Sequence, residues 1–330
     1  MISKGNWQGD DFDNRLLLFI KKELGTQDVT ISKLKNGKWL MEIDENKWFV
    51  KEYRSEEHLL TQLLLTNKLD EDEFPFVVKF HPLHFEKTLL FEGNYFALYH
   101  WLESTPFYYH QYKDREKALE VLSVFHENTS SYIDELHTYL PSYDLLGKWI
   151  RRQREFTENL PFFSLFIPEH MLSSFTYWGT YSLQNLEESK RQWENRQECI
   201  VHGDVAHHNF IKSKEENCYL IDFDLIATAP KMVDDLQLSN RFLQAMEWKV
   251  ESLWQHKSLT SYQTDLPFLY GLIYPTDVYR EWNRFRKASH ENQRRVWPYL
   301  YRMTFQYYHN RMRGVQIIEE MIRTLEEKGK

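Results

Sequence analysis

A chain of 330 residues that is 42% hydrophobic and 16% aromatic has apolar material for one large core or, by its length, for two lobes. With 41 Lys and Arg against 49 Asp and Glu the formal net charge is −8, the wrong sign for a protein whose main task is to neutralise nucleic-acid phosphates. No stretch reaches the ~18 uninterrupted apolar residues of a membrane span, and MISKGNWQGDDFDNR holds no apolar leader, so the expectation is a chain made in the cytoplasm with no nucleic-acid and no membrane partner. Cys199 and Cys218 are too few for a disulfide framework and read as small buried thiols in a reducing compartment.

In chain order, DNRLLLFIKKEL predicts a helix over 13–24. Residues 28–53 alternate apolar and polar, broken at Asn36-Gly37 and Asp44-Glu45-Asn46, which predicts three short antiparallel strands. Ser55 followed by acids and helically spaced leucines predicts an N-capped helix over 55–69. VVKFHPLHF, KTLLFEG and YFALYHWL read as further strands. From about 107 the pattern is helical, over 113–137, 142–159, 182–197, 231–256, 277–295 and 298–328, interrupted by a small β-hairpin within 199–224. The expected fold class is α+β in two lobes, a β-rich one over 1–103 and a mostly helical one over 104–330 that carries the catalytic and metal-binding loops.

The interruption carries the chemistry. In His202-Gly203-Asp204, Asn209 and Asp222, four residues separate Asp204 from Asn209 and twelve separate Asn209 from Asp222. Oxygen donors of this kind suit Mg²⁺ shared with substrate phosphates. Phosphoryl transfer needs a carboxylate to take a hydroxyl proton, a metal and a lysine on the phosphates; Asp204, Asn209 with Asp222, and an upstream lysine fill those roles. Asp224 either adds to the metal field or caps the next turn. A different reading takes His202, Asp204, His207 and His208 as ligands of a metal-dependent hydrolase.

HGDVAHHN with LIDFD resembles the catalytic and metal motifs of the aminoglycoside phosphotransferase and choline kinase superfamily, a branch of the protein-kinase-like fold. Five fixed residues at fixed spacing arise by chance with a probability on the order of 10⁻⁴ at average residue usage, so the motif outweighs any single-residue argument. The resemblance implies ATP and Mg²⁺ as cofactors, Lys51 on the nucleotide phosphates, Glu56 or Glu57 as its helix partner, and a hinge at Tyr99, His100, Trp101 and Leu102 for adenine. It also implies Asp204 as catalytic residue, Asn209 and Asp222 on the metal, and His202 and Asp235 as structural support. YHWLESTPF, LSVFHENTSSY, LGKWIRRQREF and GLIYPTDVYREW are similar to segments of the CotS/YutH group of spore-coat-associated kinase-like proteins of Bacillus, with VAHHN most like the YutH branch. That likeness implies a spore-coat location and coat-protein partners beside a nucleotide and a small hydroxyl acceptor. One departure is the turn between the first two predicted strands, LKNGKWLMEI, which has a single glycine flanked by bulky Lys38, Trp39 and Leu40 where backbone amides would cradle phosphate. From it follows the rival expectation of a catalytically weak pseudokinase acting as a coat interaction protein.

Overall fold

The computed structural model describes residues 7–328; the first six residues, on which the reading of the N-terminus partly rests, lie outside them. The chain divides into two compact units. One comprises the chain up to Pro106 with Asp134–Leu140 and His208–Leu225; the other comprises Phe107–Ile133, Pro141–His207 and the chain from Ile226 on.

In the first unit a helix, α1 (Trp7–Leu24), precedes a five-stranded antiparallel sheet in the order β1-β2-β3-β5-β4. Its strands are β1 (Val29–Lys35), β2 (Lys38–Ile43), β3 (Asn46–Tyr53), β4 (Leu89–Phe91) and β5 (Asn94–His100). Strand alternation sends successive side chains to opposite faces. Trp39, Met41 and Val50 therefore join Leu16 and Ile20 of α1 in one core, while Lys38 and Lys51, directly opposed across β2 and β3, belong to the other face. Trp39 does not crowd the turn as its bulk suggests: it is buried, and its indole N–H donates to Asp13 Oδ1 at 2.9 Å. The second helix, α2 (Glu56–Glu71), begins at Ser55, whose hydroxyl accepts the His58 N–H. VVKFHPLHF forms only isolated bridges and a single turn at Pro82–Phe85, because proline offers no ladder donor and fixes φ.

The run 199–224 is not one hairpin. β7 (Glu198–Val201) pairs with β10 (Ala227–Pro230) in the second unit, whereas β8 (Phe210–Ser213) and β9 (Cys218–Leu220) pair with each other, and β8 with β6 (Ser104–Thr105), in the first. The Leu220 N–H donates to the Phe76 carbonyl at 2.8 Å, so the strand leading to Asp222 bridges to the segment after α2 and is part of the first unit. The rest of the second unit is helical, from α3 (Tyr112–Thr129) to Tyr308–Lys328. Most of its aromatics are core, among them Phe156, Phe163, Tyr274, Tyr279 and Trp282. Cys199 and Cys218 are buried and not in a disulfide, and among the described residues no helix is long and apolar enough to cross a membrane.

Candidate active site

Within the first unit, β3 delivers Lys51, a buried side chain, to two carboxylates: its ammonium lies 2.7 Å from Asp222 Oδ1 and 2.6 Å from Asp224 Oδ1. Lys38 approaches Asp222 Oδ2 from the neighbouring strand at 3.5 Å. Like charges opposed across strands repel, and Asp222 is the counter-charge that lets this pair share a face. Burial alone would raise the Asp222 carboxyl, but the Lys51 ammonium beside it, helped by Lys38, holds it well below the usual range. Burial pushes Lys38 the other way, below an ordinary lysine, against the pull of Asp222. Asp222 sits at φ 68°, a left-handed conformation uncommon for a side chain other than Gly, Asn or Asp and concentrated at functional turns. Asn209 is buried just before β8, and its carbonyl accepts the Ile221 N–H at 3.0 Å. Carboxylate and amide oxygens are the hard donors that fit Mg²⁺ with phosphate.

In the second unit, the turn after β7 is held by its backbone. Gly203 has φ 75°, a conformation open to glycine at no steric cost. The N–H groups of His202 and Gly203 donate to Asp234 Oδ2 and Oδ1 at 2.6 and 3.0 Å. Tyr143 and Tyr109 hydroxyls donate to the Gly203 and Val205 carbonyls at 3.5 and 3.0 Å. The His202 ring accepts the Asp204 N–H at 3.3 Å. Asp204 itself, its side chain 37% exposed, receives Arg241 Nη2 on Oδ1 at 2.7 Å.

No family model matches the chain, and no curated protein does. Solved structures do. An aminoglycoside phosphotransferase from Alicyclobacillus acidocaldarius aligns with a TM-score of 0.70 at 14% identity, over 91% of this chain and 94% of that one. The AMP-bound spectinomycin phosphotransferase APH(9)-Ia follows at 0.62 and 13%, over 91% and 98%, and choline kinase LicA from Streptococcus pneumoniae at 0.52 and 11%, over 92% and 99%. The chain has the kinase-like aminoglycoside phosphotransferase fold.

The expected helix partner of Lys51 is not at either glutamate. Glu56 and Glu57 lie on the exposed first turn of α2, and Glu56 accepts the hydroxyls of Thr88 and Tyr95 at 3.3 and 3.5 Å; the ion-pair partners of Lys51 are Asp222 and Asp224. Two α2 residues reach this group: His58, whose Nε2 lies 3.1 Å from the Asp224 carbonyl oxygen, and Gln62, one turn beyond it and 1% exposed. The Gln62 side chain makes the closer contact with the carboxylate. Its amide donates to Asp224 Oδ1 at 2.9 Å and accepts the Tyr53 hydroxyl at 3.0 Å. A neutral amide bears no mark in the sequence that sets it apart from any other polar helix residue. Gln62→Glu should bring a third carboxylate against Asp224 and remove a donor, lowering stability by about 1–3 kcal/mol; an unchanged denaturation midpoint would contradict this reading of the contact.

Asp235 accepts the Tyr262 hydroxyl at 2.7 Å, while its neighbour Asp234 supports the His-Gly turn. Adjacent helix positions differ by 100° about the axis, a difference the dipeptide Asp234-Asp235 does not reveal. Of the hinge residues, Tyr99 shares its hydroxyl with Tyr53 and Gln62, the His100 N–H donates to Lys79, and the Trp101 N–H donates to Lys47. These two amides are therefore engaged within the unit, and Leu102 follows them half-buried. His207 and His208 are exposed where His202 is fully buried, and among the described residues no group of three or more His, Cys, Asp or Glu gathers to hold a metal; the hydrolase reading loses its ligand cluster.

Proposed function

We propose that this protein is an ATP- and Mg²⁺-dependent phosphotransferase acting on a hydroxyl of a small molecule. The observation that carries the reading is the Lys51–Asp222 ion pair at 2.7 Å, formed by residues 171 apart in sequence and within one unit with Asn209. Lys51 holds the nucleotide phosphates, and the segment 99–102 that ends β5 receives the adenine. Asp222 and Asn209 would hold Mg²⁺, which when bound neutralises the charge of the phosphates. Asp204 orients the acceptor hydroxyl and takes its proton, with Arg241 fixing one of its oxygens and Asp234 clamping the backbone of the two residues before it, His202 and Gly203.

A second reading is favoured by Lys38 on the metal-site carboxylate and by Gln62 in place of a helix acid. In it the protein is a catalytically weak member of the CotS/YutH type, made in the mother-cell cytoplasm and placed in the spore coat, where it contacts other coat proteins. Calorimetric titration with ATP, with and without Mg²⁺, separates the two. Magnesium-dependent binding at micromolar to low-millimolar affinity supports the phosphotransferase; no binding at several millimolar leaves the coat component in front.

A further inference from the structure

Beyond Arg241, three more cations crowd the side of the second unit that holds Asp204. Lys148 and Arg152 are one turn apart on the helix Leu145–Glu158 and so share a face. Lys148 donates to the Tyr143 hydroxyl at 2.5 Å, and that same hydroxyl reaches the carbonyl of Gly203, the residue before Asp204. Arg152 Nη1 donates to Thr276 Oγ1 at 2.7 Å. Thr276 opens the helix that carries Arg280 one turn later. Two of these four cations have acidic partners: Arg241 with Asp204, and Arg280 with Glu281 at 2.6 Å. The other two, both half-buried, donate to neutral hydroxyls and, among the described residues, have no carboxylate within ion-pair distance.

A cation taken partly out of water without a counter-ion is costly, and the cost is recovered only if something brings the missing charge. The electrostatics agree with the geometry. Burial, with Arg152 and Arg241 adding to it against the opposing pull of Asp204, brings the Lys148 ammonium down to about 8. Burial and the nearby Arg280 likewise depress Arg152, against the pull of Tyr274. Nothing in this arrangement recognises an amine, and Arg with Lys is the pairing that grips oxyanions.

We propose that the hydroxyl compound presented to Asp204 is an anion, its carboxylate or phosphate group held by Lys148 and Arg152. The proposal rests on the phosphotransferase reading for the role of Asp204, but its test needs no nucleotide. One sugar scaffold supplies the probes: glucose 6-phosphate, glucuronate, glucose and glucosamine, with inorganic phosphate as the minimal anion, titrated against the full-length protein and against Lys148→Gln and Arg152→Gln. The expected result is that at least one anion binds about tenfold or more tighter than glucose, that glucosamine binds no better than glucose, and that each variant loses about tenfold on the anion alone. Whether phosphate or carboxylate is preferred follows from which of the two acidic sugars binds. Equal or tighter binding of glucosamine would overturn the proposal, as would a set of anions, phosphate included, that binds the wild type no better than the variants. Because Arg152 also ties two helices, thermal melting checks its variant, and Lys148→Gln carries the test if Arg152→Gln is unfolded. Anion binding without ATP binding would sink the phosphotransferase and keep the anion site; ATP binding without anion binding would do the reverse.

Discussion

Asp222→Ala is expected to abolish the magnesium-dependent part of ATP binding, by about a hundredfold or more, while leaving metal-free nucleotide binding intact or strengthened. The sign of the second effect follows from the cation pair. In the native protein Lys51 and Lys38 both lean on Asp222, so a phosphate must compete with that carboxylate for them. Removing it leaves Lys51 on Asp224 alone and leaves Lys38 without its acid partner, a more cationic surface for phosphate. Titration of ATP, with and without Mg²⁺, into wild type and variant reads both effects at once. A variant that keeps its magnesium dependence would show that Asp222 is not the metal ligand.

The second large effect is a contrast between neighbours. Asp234→Asn should destabilise the protein by about 2–4 kcal/mol, because an asparagine offers one oxygen where two backbone N–H groups and the His126 ring converge, and its amide hydrogens face donors. Asp235→Asn should be close to neutral, since an amide oxygen still accepts the Tyr262 hydroxyl. The two acids also respond oppositely to pH. Burial would raise Asp234, but His126 and the turn hold its carboxyl below the ordinary value; burial raises Asp235 above it. Stability from Asp234 is therefore present at neutral pH and lost as pH falls through the aspartate range and below, so the deficit of Asp234→Asn should shrink in acid. Stability from a protonated Asp235 is present below the ordinary aspartate value and lost as pH rises through its own raised one, so Asp235→Asn should gain on wild type toward alkaline pH. Denaturation midpoints across pH check both slopes; parallel curves would refute the assignment of the two roles.

What the sequence made legible was the spacing. His202, Asp204, Asn209 and Asp222 stand out because their residue types recur at the spacing of a known motif, and Lys51 entered only through the resemblance that this spacing carries; its ion pair with Asp222 is written nowhere in the local sequence. Alternation over 28–53 and the Ser55 cap likewise locate the sheet and α2, since both depend on neighbours in the chain. The misses are of another kind. Gln62, Arg241 and Asp234 acquire meaning from partners 162, 37 and 31–32 residues away, and a neutral amide or a helix arginine carries no local mark of such a partner. The small hairpin expected within 199–224 is β8 with β9, but the first apolar run, β7, pairs with the later β10, a partner that its own neighbours in the chain do not reveal.

The placement of His208–Leu225 within the first unit has a temporal consequence. Lys51 leaves the ribosome 171 residues ahead of Asp222, an interval of roughly 10–30 s at ordinary rates of synthesis of about 5–20 residues per second. Once β5 has emerged, a sheet formed on the nascent chain presents two opposed ammonium groups, Lys38 and Lys51, until the aspartates that neutralise them follow. The sheet is thus a half-built object until most of the polypeptide exists, vulnerable to any polyanion nearby, and a fragment cut before residue 208 would preserve that juvenile condition indefinitely.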